Sequence, residues 1–540
     1  MFRTVALASL LFLTSCAAGT AAPTATTVVA AKTPVDTPRL VLALVLDQFP
    51  SHALAYLPHL DEDGLLRRMV AEGALVERAR LSYSTTATGP GHAAIHTGRS
   101  PAQSGIDSNG VWDASLAKEV PIVSRSIHEV FGVEGKTAGP DVLLAKTVAD
   151  QLREVSPDSV ILSISHKDRS AIVSGGKSAN LALWYDSALP GLTTSAAYSL
   201  GLPSWVAKFN ATRTTSSAFG VWNAETPELY KELFGEDDAP GEANWHGLGT
   251  TFPHEPANSP KPEKVFLASP HSAEYLIEVA AQAAFEYDLG GDEVVDFLCL
   301  SISTTDYAGH SFSSHSWEYL DVLRKTDRAL GKFVRELEAR TGASIRVLLT
   351  SDHGGPKLPE ALGHGGRIIQ ADLVAETDAA IDATLGAGDW VAAYVSPFLY
   401  LTAAGEARRA DILPILEDYA SKKTSLAGLI SAEKARSWSD SDEALKRAVA
   451  ESIGPDRTDI YVLPAPGYFA DAERIPDIGK GINHGSPEDH DREVPVFLMG
   501  PNVAHQRIVE VMPQSQVASS LSAMLGVEAP TDAPVLAPLR

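Results

Sequence analysis

Five short apolar runs constrain what this chain can fold into, because each borders residues that carry chemistry. Residues 40–46 run into Asp47, and residues 159–165 lead to His166, Lys167, Asp168 and Arg169. Residues 294–303 lead to Asp306, and residues 345–349 to Ser351, Asp352 and His353. The fifth run, 494–498, follows a stretch holding His484 and His490. Continuous apolar runs of this length, without alternation, suit strands buried on both faces. Helically spaced segments lie between them, as at 143–153 and 319–340, which predicts an α/β fold with a central, mostly parallel sheet flanked by helices. Ligands of such sheets bind beyond the carboxyl ends of the strands. One Asp after a strand is commonly a helix cap or turn residue; several strands each ending in a metal or phosphate ligand are harder to explain that way.

Between the runs, residues 178–265 are rich in Trp, Tyr, Ser, Thr and Pro, and residues 365–475 mix helical patches with loops. Both read as insertions covering the sheet edge of one catalytic domain over 39–540, the first as a substrate-side cap. The chain has 540 residues, with 68 acidic and 44 basic side chains and a net charge of −24. Such a balance argues against nucleic acid as a specific partner, since phosphate neutralisation needs clustered Lys and Arg. Phosphate chemistry would need positive charge concentrated locally. The two cysteines, Cys16 and Cys299, exclude a disulfide scaffold and a Cys-rich zinc site. Cys299, in an apolar run, reads as a small buried hydrophobe.

The first residues read as an export signal over 1–22. Arg3 is the only charge before an apolar stretch from Val5 to Leu13, which is too short to span a bilayer. Leu13-Thr14-Ser15-Cys16 resembles a lipobox whose Cys is lipidated; cleavage within Ala17–Ala22 and free secretion is the alternative. Residues 23–38 read as a solvated linker. The expected location is the periplasm, with membrane contact only through a lipid on Cys16.

Thr88 stands before Gly89-Pro90-Gly91-His92 and a predicted helix. Pro favours a helix's first turn, so the Thr hydroxyl would sit at the positive N-terminal end, where free N–H groups bind phosphate. Taken alone, Thr before Gly-Pro is far more often a cap than a nucleophile. Asp306 and His310 are four apart, so one helical turn places both on one face. With Asp47, Asp352, His353 and His484 they supply three Asp and three His, a donor set that zinc accepts. Two metals ~4 Å apart can clamp the attacking and leaving oxygens of a phosphoryl transfer.

This ordered set, Asp47, Thr88-Gly-Pro-Gly-His92, Asp306-x-x-x-His310, Asp352-His353 and His484-Gly485, resembles the alkaline phosphatase superfamily. It resembles most the Thr-nucleophile branch that includes PafA-type bacterial alkaline phosphatases and the nucleotide pyrophosphatase/phosphodiesterases. Asn109, Lys167 and Arg169 narrow it to the PafA type, as do Trp184-Tyr185-Asp186 and Leu202-Pro-Ser-Trp205. The resemblance implies two Zn²⁺ per chain, one on Asp306, His310 and His484, the other on Asp47, Asp352, His353 and the Thr88 hydroxyl. It implies Thr88 as nucleophile, with Asn109, Lys167 and Arg169 on the phosphate oxygens. The expected reaction is hydrolysis of small-molecule phosphate monoesters through a phosphothreonine; a phosphodiesterase on the same metals is the alternative, and a catalytically dead binding lipoprotein the third reading. A monomer is expected, and so acidic an exported chain has carboxylates for a structural Ca²⁺ as well. His92 and His96 are expected beneath the nucleophile helix, and His364 and His490 are reserve ligands. Thr at position 88, with no Cys near it, argues against a sulfatase, and an export signal against the cytoplasmic, Ser-nucleophile phosphoglycerate mutases.

Overall fold

In a computed structural model of the chain, residues 38–342, 345–471 and 480–539 are described. The expected signal peptide, Cys16 and nearly all of the linker lie outside the described residues. Nine strands form the central sheet: β1 Leu40–Leu46, β2 Ala74–Arg80, β3 Ile161–Ser165, β4 Leu181–Asp186, β5 Gly191–Thr193, β6 Asp296–Ile302, β7 Ile345–Thr350, β8 Glu493–Met499 and β9 Gln506–Pro513. Their order is β9-β2-β8-β7-β1-β6-β3-β4-β5. All five expected runs are in it.

β1 pairs in parallel with β6 and β7, and β3 with β6 and β4. The expectation of a mostly parallel sheet holds for this centre, but β8 runs antiparallel to both β7 and β2. Chain order explains the reversal. Asp47 and Asp352 follow their strands, whereas His484 precedes β8, so bringing His484 to the same sheet edge requires β8 to run away from it.

Side-chain alternation along β1 divides the core into two layers. Leu40, Leu42, Leu44 and Leu46 pack with Leu320, Leu323 and Tyr275 on one face. Val41, Ala43 and Val45 pack with Ala94, Ile95, Leu152 and Leu521 on the other. Each fully buried Leu contributes ~1.5–3 kcal/mol relative to exposure. Six helices matter to the site or the layers: α1 Thr88–Thr97, α2 Val148–Val155, α3 Asp168–Gly175, α4 Pro270–Glu286, α5 Thr304–Phe312 and α6 Trp317–Thr341. The predicted helix from 143 begins later, at Val148. Thr147 caps it there in a reciprocal capping box with Asp150, which outweighs the apolar spacing of Leu143. Cys299 is a buried free thiol in β6.

Of the expected 178–265 insertion, residues 181–193 are sheet strands β4 and β5, and α-helical and 3₁₀ turns follow. Within 365–475, a four-stranded sheet of Val391–Val395, Phe398–Leu401, Ile460–Pro464 and Leu426–Ser431 carries its own apolar core.

Candidate active site

Register brings the site together. Val45 of β1 lies opposite Thr350 of β7, so Asp47 and Asp352 come level two residues past that pair. Gln48, just beyond, adopts the left-handed region with φ 56°, and its carbonyl accepts from the Tyr319 hydroxyl at 2.7 Å. That turn directs the chain away while leaving the Asp47 side chain at the sheet edge. Lys167 and Arg169 lie at the N-cap and first turn of α3, after β3. Asp306 and His310 are on one face of α5, with Nε2 of His310 3.3 Å from Asp306 Oδ1. Thr88 is the first residue of α1, all ten residues of which are buried.

The glycines of the Thr88 motif have a packing reason. A Cβ at Gly91 would stand 2.3 Å from the Asp352 carbonyl oxygen and 2.6 Å from its Cβ. Only glycine lets α1 bring Thr88 this close to the loop carrying Asp352 and His353.

Three imidazoles are oriented alike. His310, His353 and His484 each set Nδ1 against a backbone carbonyl: Ile482 at 3.0 Å, Gly354 at 2.9 Å and Thr86 at 2.6 Å. A carbonyl can only accept, so each Nδ1 carries the proton and each Nε2 keeps its lone pair, the arrangement metal-binding histidines adopt. Opposite them, Asp47 Oδ1, Asp306 Oδ1, Asp352 Oδ2 and His353 Nε2 are buried without a hydrogen-bond partner. Ligand atoms of Asp306, His353 and His484 come within 4.8 Å of one another, as do those of Asp47, Asp352 and His353. His353 belongs to both groups, its ring stacked 3.7 Å from that of His484. Unpartnered buried carboxylate oxygens and free Nε2 atoms fit divalent metal.

The electrostatics point the same way. Burial, with Asp306 and Asp352 alongside, pushes Asp47 up to about 6. Burial acts on Asp306 too, but the Lys167 ammonium overrides it and holds that carboxyl well below the usual range. Crowded carboxylates of this kind need cations. Lys167 supplies one: its Nζ donates to Asp47 Oδ2 at 2.7 Å, Asp306 Oδ2 at 2.5 Å and the Thr88 hydroxyl at 3.2 Å. Burial alone would lower its pKa, but Asp306 and Asp47 outweigh that, so it stays charged.

These residues open onto a cavity of about 810 Å³, lined by Thr88, Asn109, Lys167, Arg169, His310 and His484 among others. Asn109 Oδ1 accepts from the Gly89 N–H at 2.8 Å, which fixes the amide orientation and leaves its NH₂ as the donor. Arg169 keeps a buried Nε without a partner.

The other histidines lie elsewhere. His92 sits under α1, Nδ1–H donating to the Thr88 carbonyl and Nε2 accepting from Ser301. His96 is buried against Phe297. His166 donates to the Ser272 carbonyl and accepts from the Ser303 N–H. His364 neighbours Gly467, and His490 lies beside Asp491, so neither joins the cluster. Sequence reading overlooked two groups. Tyr307, between the candidate ligands Asp306 and His310, places its ring 5.3 Å from Lys167 Nζ; its position within that motif was an available signal. Arg457, from the second insertion, bonds Asp107 at 2.5 and 2.9 Å, two residues before Asn109, and no local pattern announces it.

A sheet with these ligands at its edge and a helix-borne Thr facing them defines a phosphoesterase of the alkaline phosphatase superfamily. The model of the type I phosphodiesterase / nucleotide pyrophosphatase family matches residues 41–488, and the chain belongs to that family. It is 29% identical to alkaline phosphatase PhoV of Synechococcus elongatus over 92% of each chain. It is 26% identical to alkaline phosphatase PafA of Elizabethkingia meningoseptica over 92% of this chain and 93% of the relative. The crystal structure of wild-type PafA superposes with a TM-score of 0.84 at 25% identity, covering 92% of this chain and 98% of that one.

Proposed function

We propose that this chain is an exported, dizinc alkaline phosphatase of broad range that hydrolyses phosphate monoesters through a phosphothreonine on Thr88. The observation that carries the reading is the convergence of three Nδ1-anchored imidazoles and orphaned carboxylate oxygens beside the Thr88 hydroxyl. Zinc would be held by Asp306, His310 and His484 and by Asp47, Asp352 and His353, with His353 near both sets. When bound it would act as a Lewis acid on phosphoryl oxygen and favour the Thr88 alkoxide.

The protein's own residues do the rest. Lys167, charged and 3.2 Å from the hydroxyl, stabilises negative charge developing on Thr88 Oγ. That oxygen attacks phosphorus as its proton passes to water, forming the Thr O–P bond while the ester P–O bond breaks. The departing alkoxide is protonated by solvent. Water then attacks the phosphothreonine, phosphate leaves, and Thr88 recovers its proton. Two displacements give net retention at phosphorus. Asn109 NH₂ and the Arg169 guanidinium are placed to contact the non-bridging oxygens, and a dianionic monoester gains more from them than a diester does. Positioning and charge stabilisation dominate such a loose transition state. Small phosphate esters are the partners, and the chain acts as a monomer. The N-terminal segment supports export, freely soluble or lipid-anchored at Cys16. Among the described residues, two groups of three side chains could hold a metal ion, and both lie at this site.

The family's name favours a second reading, a phosphodiesterase on the same residues. The test is purified protein assayed on an aryl phosphate and its methyl diester, with metal analysis and Thr88→Ala. Expected are monoester preference, about two zinc ions per chain, and no trapped phosphoenzyme in a folded Thr88→Ala. Diester preference would select the second reading, and a phosphoenzyme in Thr88→Ala would remove Thr88 as nucleophile.

A further inference from the structure

The cavity is wider than one phosphate needs, and its far wall has a charge that the site does not use. Lys261, just before the short helix Pro262–Val265, and Lys264 within it line the cavity on the side of the first insertion. Neither ammonium has an acidic partner among the described residues. Their neighbour His246 is held in the left-handed region, φ 48° and ψ 34°, a conformation costly for a non-glycine residue. Burial and the two lysines both push its imidazole pKa down, so it adds no charge there and offers a neutral hydrogen-bonding ring.

A continuous series of rings joins this wall to the phosphate site. Lys167 Nζ lies 5.3 Å from the Tyr307 ring, Tyr307 stacks on Trp245 at 5.7 Å, and Trp245 lies 5.4 Å from His246. The path is aromatic and largely apolar. It suits the body of a leaving group whose two ends are both anionic.

The geometry points to a second anion subsite at Lys261 and Lys264, which takes the distal phosphate of a bisphosphorylated monoester while its near phosphate sits at Thr88. The inference rests on the phosphomonoesterase reading and adds a substrate class to it. Two ammoniums match a dianion. In a protein with this overall charge, a local positive wall is also what offsets repulsion of a polyanionic substrate.

The test compares hexanediol bisphosphate with hexyl phosphate on the zinc-loaded enzyme, at low and high salt. After correction for the two equivalent ends, the bisphosphate is expected to have kcat/KM about fivefold or more higher, mostly through KM, with the advantage shrinking as salt screens it. Lys261→Ala/Lys264→Ala should abolish the advantage while leaving hexyl phosphate within about twofold of wild type; Lys261→Arg/Lys264→Arg should restore it. Both lysines are exposed, and an unchanged Tm would confirm that the variants fold. Hexyl phosphate hydrolysed with no bisphosphate advantage, or a double variant that loses both substrates equally, would overturn the subsite alone. No hydrolysis of hexyl phosphate by wild type would overturn the phosphomonoesterase reading beneath it.

Discussion

Lys167 and Arg169 are two residues apart, yet the structure separates their work. Lys167 is nearly inaccessible and ties together Asp47, Asp306 and Thr88. Arg169 makes no comparable contact with a candidate ligand, and its side chain faces the cavity with a free Nε. Lys167→Ala is therefore expected to lower monoester and diester kcat/KM alike and to reduce bound zinc. Arg169→Ala should cut monoester kcat/KM about ten- to a hundredfold, the effect of ~1.5–3 kcal/mol for a charge-assisted hydrogen bond, and diester kcat/KM less. Equal losses in Arg169→Ala would place that guanidinium outside monoester recognition. Thr88, Asp47 and the Asp-x-x-x-His pair could be read from the sequence, because each depends on a strand end or one helical turn. The bridging position of His353 could not, since it arises from stacking against a ring more than a hundred residues away.

At the scale of elements, the site depends on two close approaches. The first is α1 against the Asp352 loop through Gly91. Gly91→Ala forces a displacement of that loop, and misplacement by about 1 Å costs roughly a hundredfold in rate. We expect a loss of that order with reduced zinc content. Gly201→Ala, with nothing near its added Cβ, should leave both unchanged, and a fully active Gly91→Ala would remove the packing explanation. The second approach joins the second insertion to the Asn109 loop. Arg457 is nearly buried against Asp107, with Asp459 at 3.1 Å and the Phe398 ring beneath it. Removing one partner of a buried pair strands the other charge at a cost of ~3–5 kcal/mol. Urea unfolding of Arg457→Ala should show that loss, and its monoester kcat/KM should fall as in Asn109→Ala. Lost stability with intact kcat/KM would separate the network from Asn109.

Over the whole molecule, one buried carboxyl away from the cavity makes stability depend on pH. Asp327 of α6 accepts from the Leu66 N–H at 2.7 Å, while its Oδ2 has no partner. Burial pushes its pKa from 3.8 up to about 7. The folded state thus holds this proton more tightly than the unfolded chain. The associated stability is present below pH 4 and lost as pH rises through 7, on the order of a few kcal/mol. Asp327→Asn keeps the acceptor and cannot ionise. Its Tm relative to wild type should rise steadily between pH 4 and 8, and parallel Tm curves would contradict the shift.

Strand burial and helical spacing are local properties of the chain, so the strands, the sheet edge that gathers the site and most of the candidate ligands were legible in the order of the amino acids. Three features arose from packing between distant segments. β8 runs antiparallel because His484 has to reach the shared edge. Lys167 sits among the carboxylates because β3 lies beside β6 and so brings α3 toward Asp306. The cavity's far wall, with Trp245, His246, Lys261 and Lys264, comes from the first insertion, whose composition carried no periodic signal. Each depends on which distant segments become neighbours, and that is set by the packing of the whole core around the sheet.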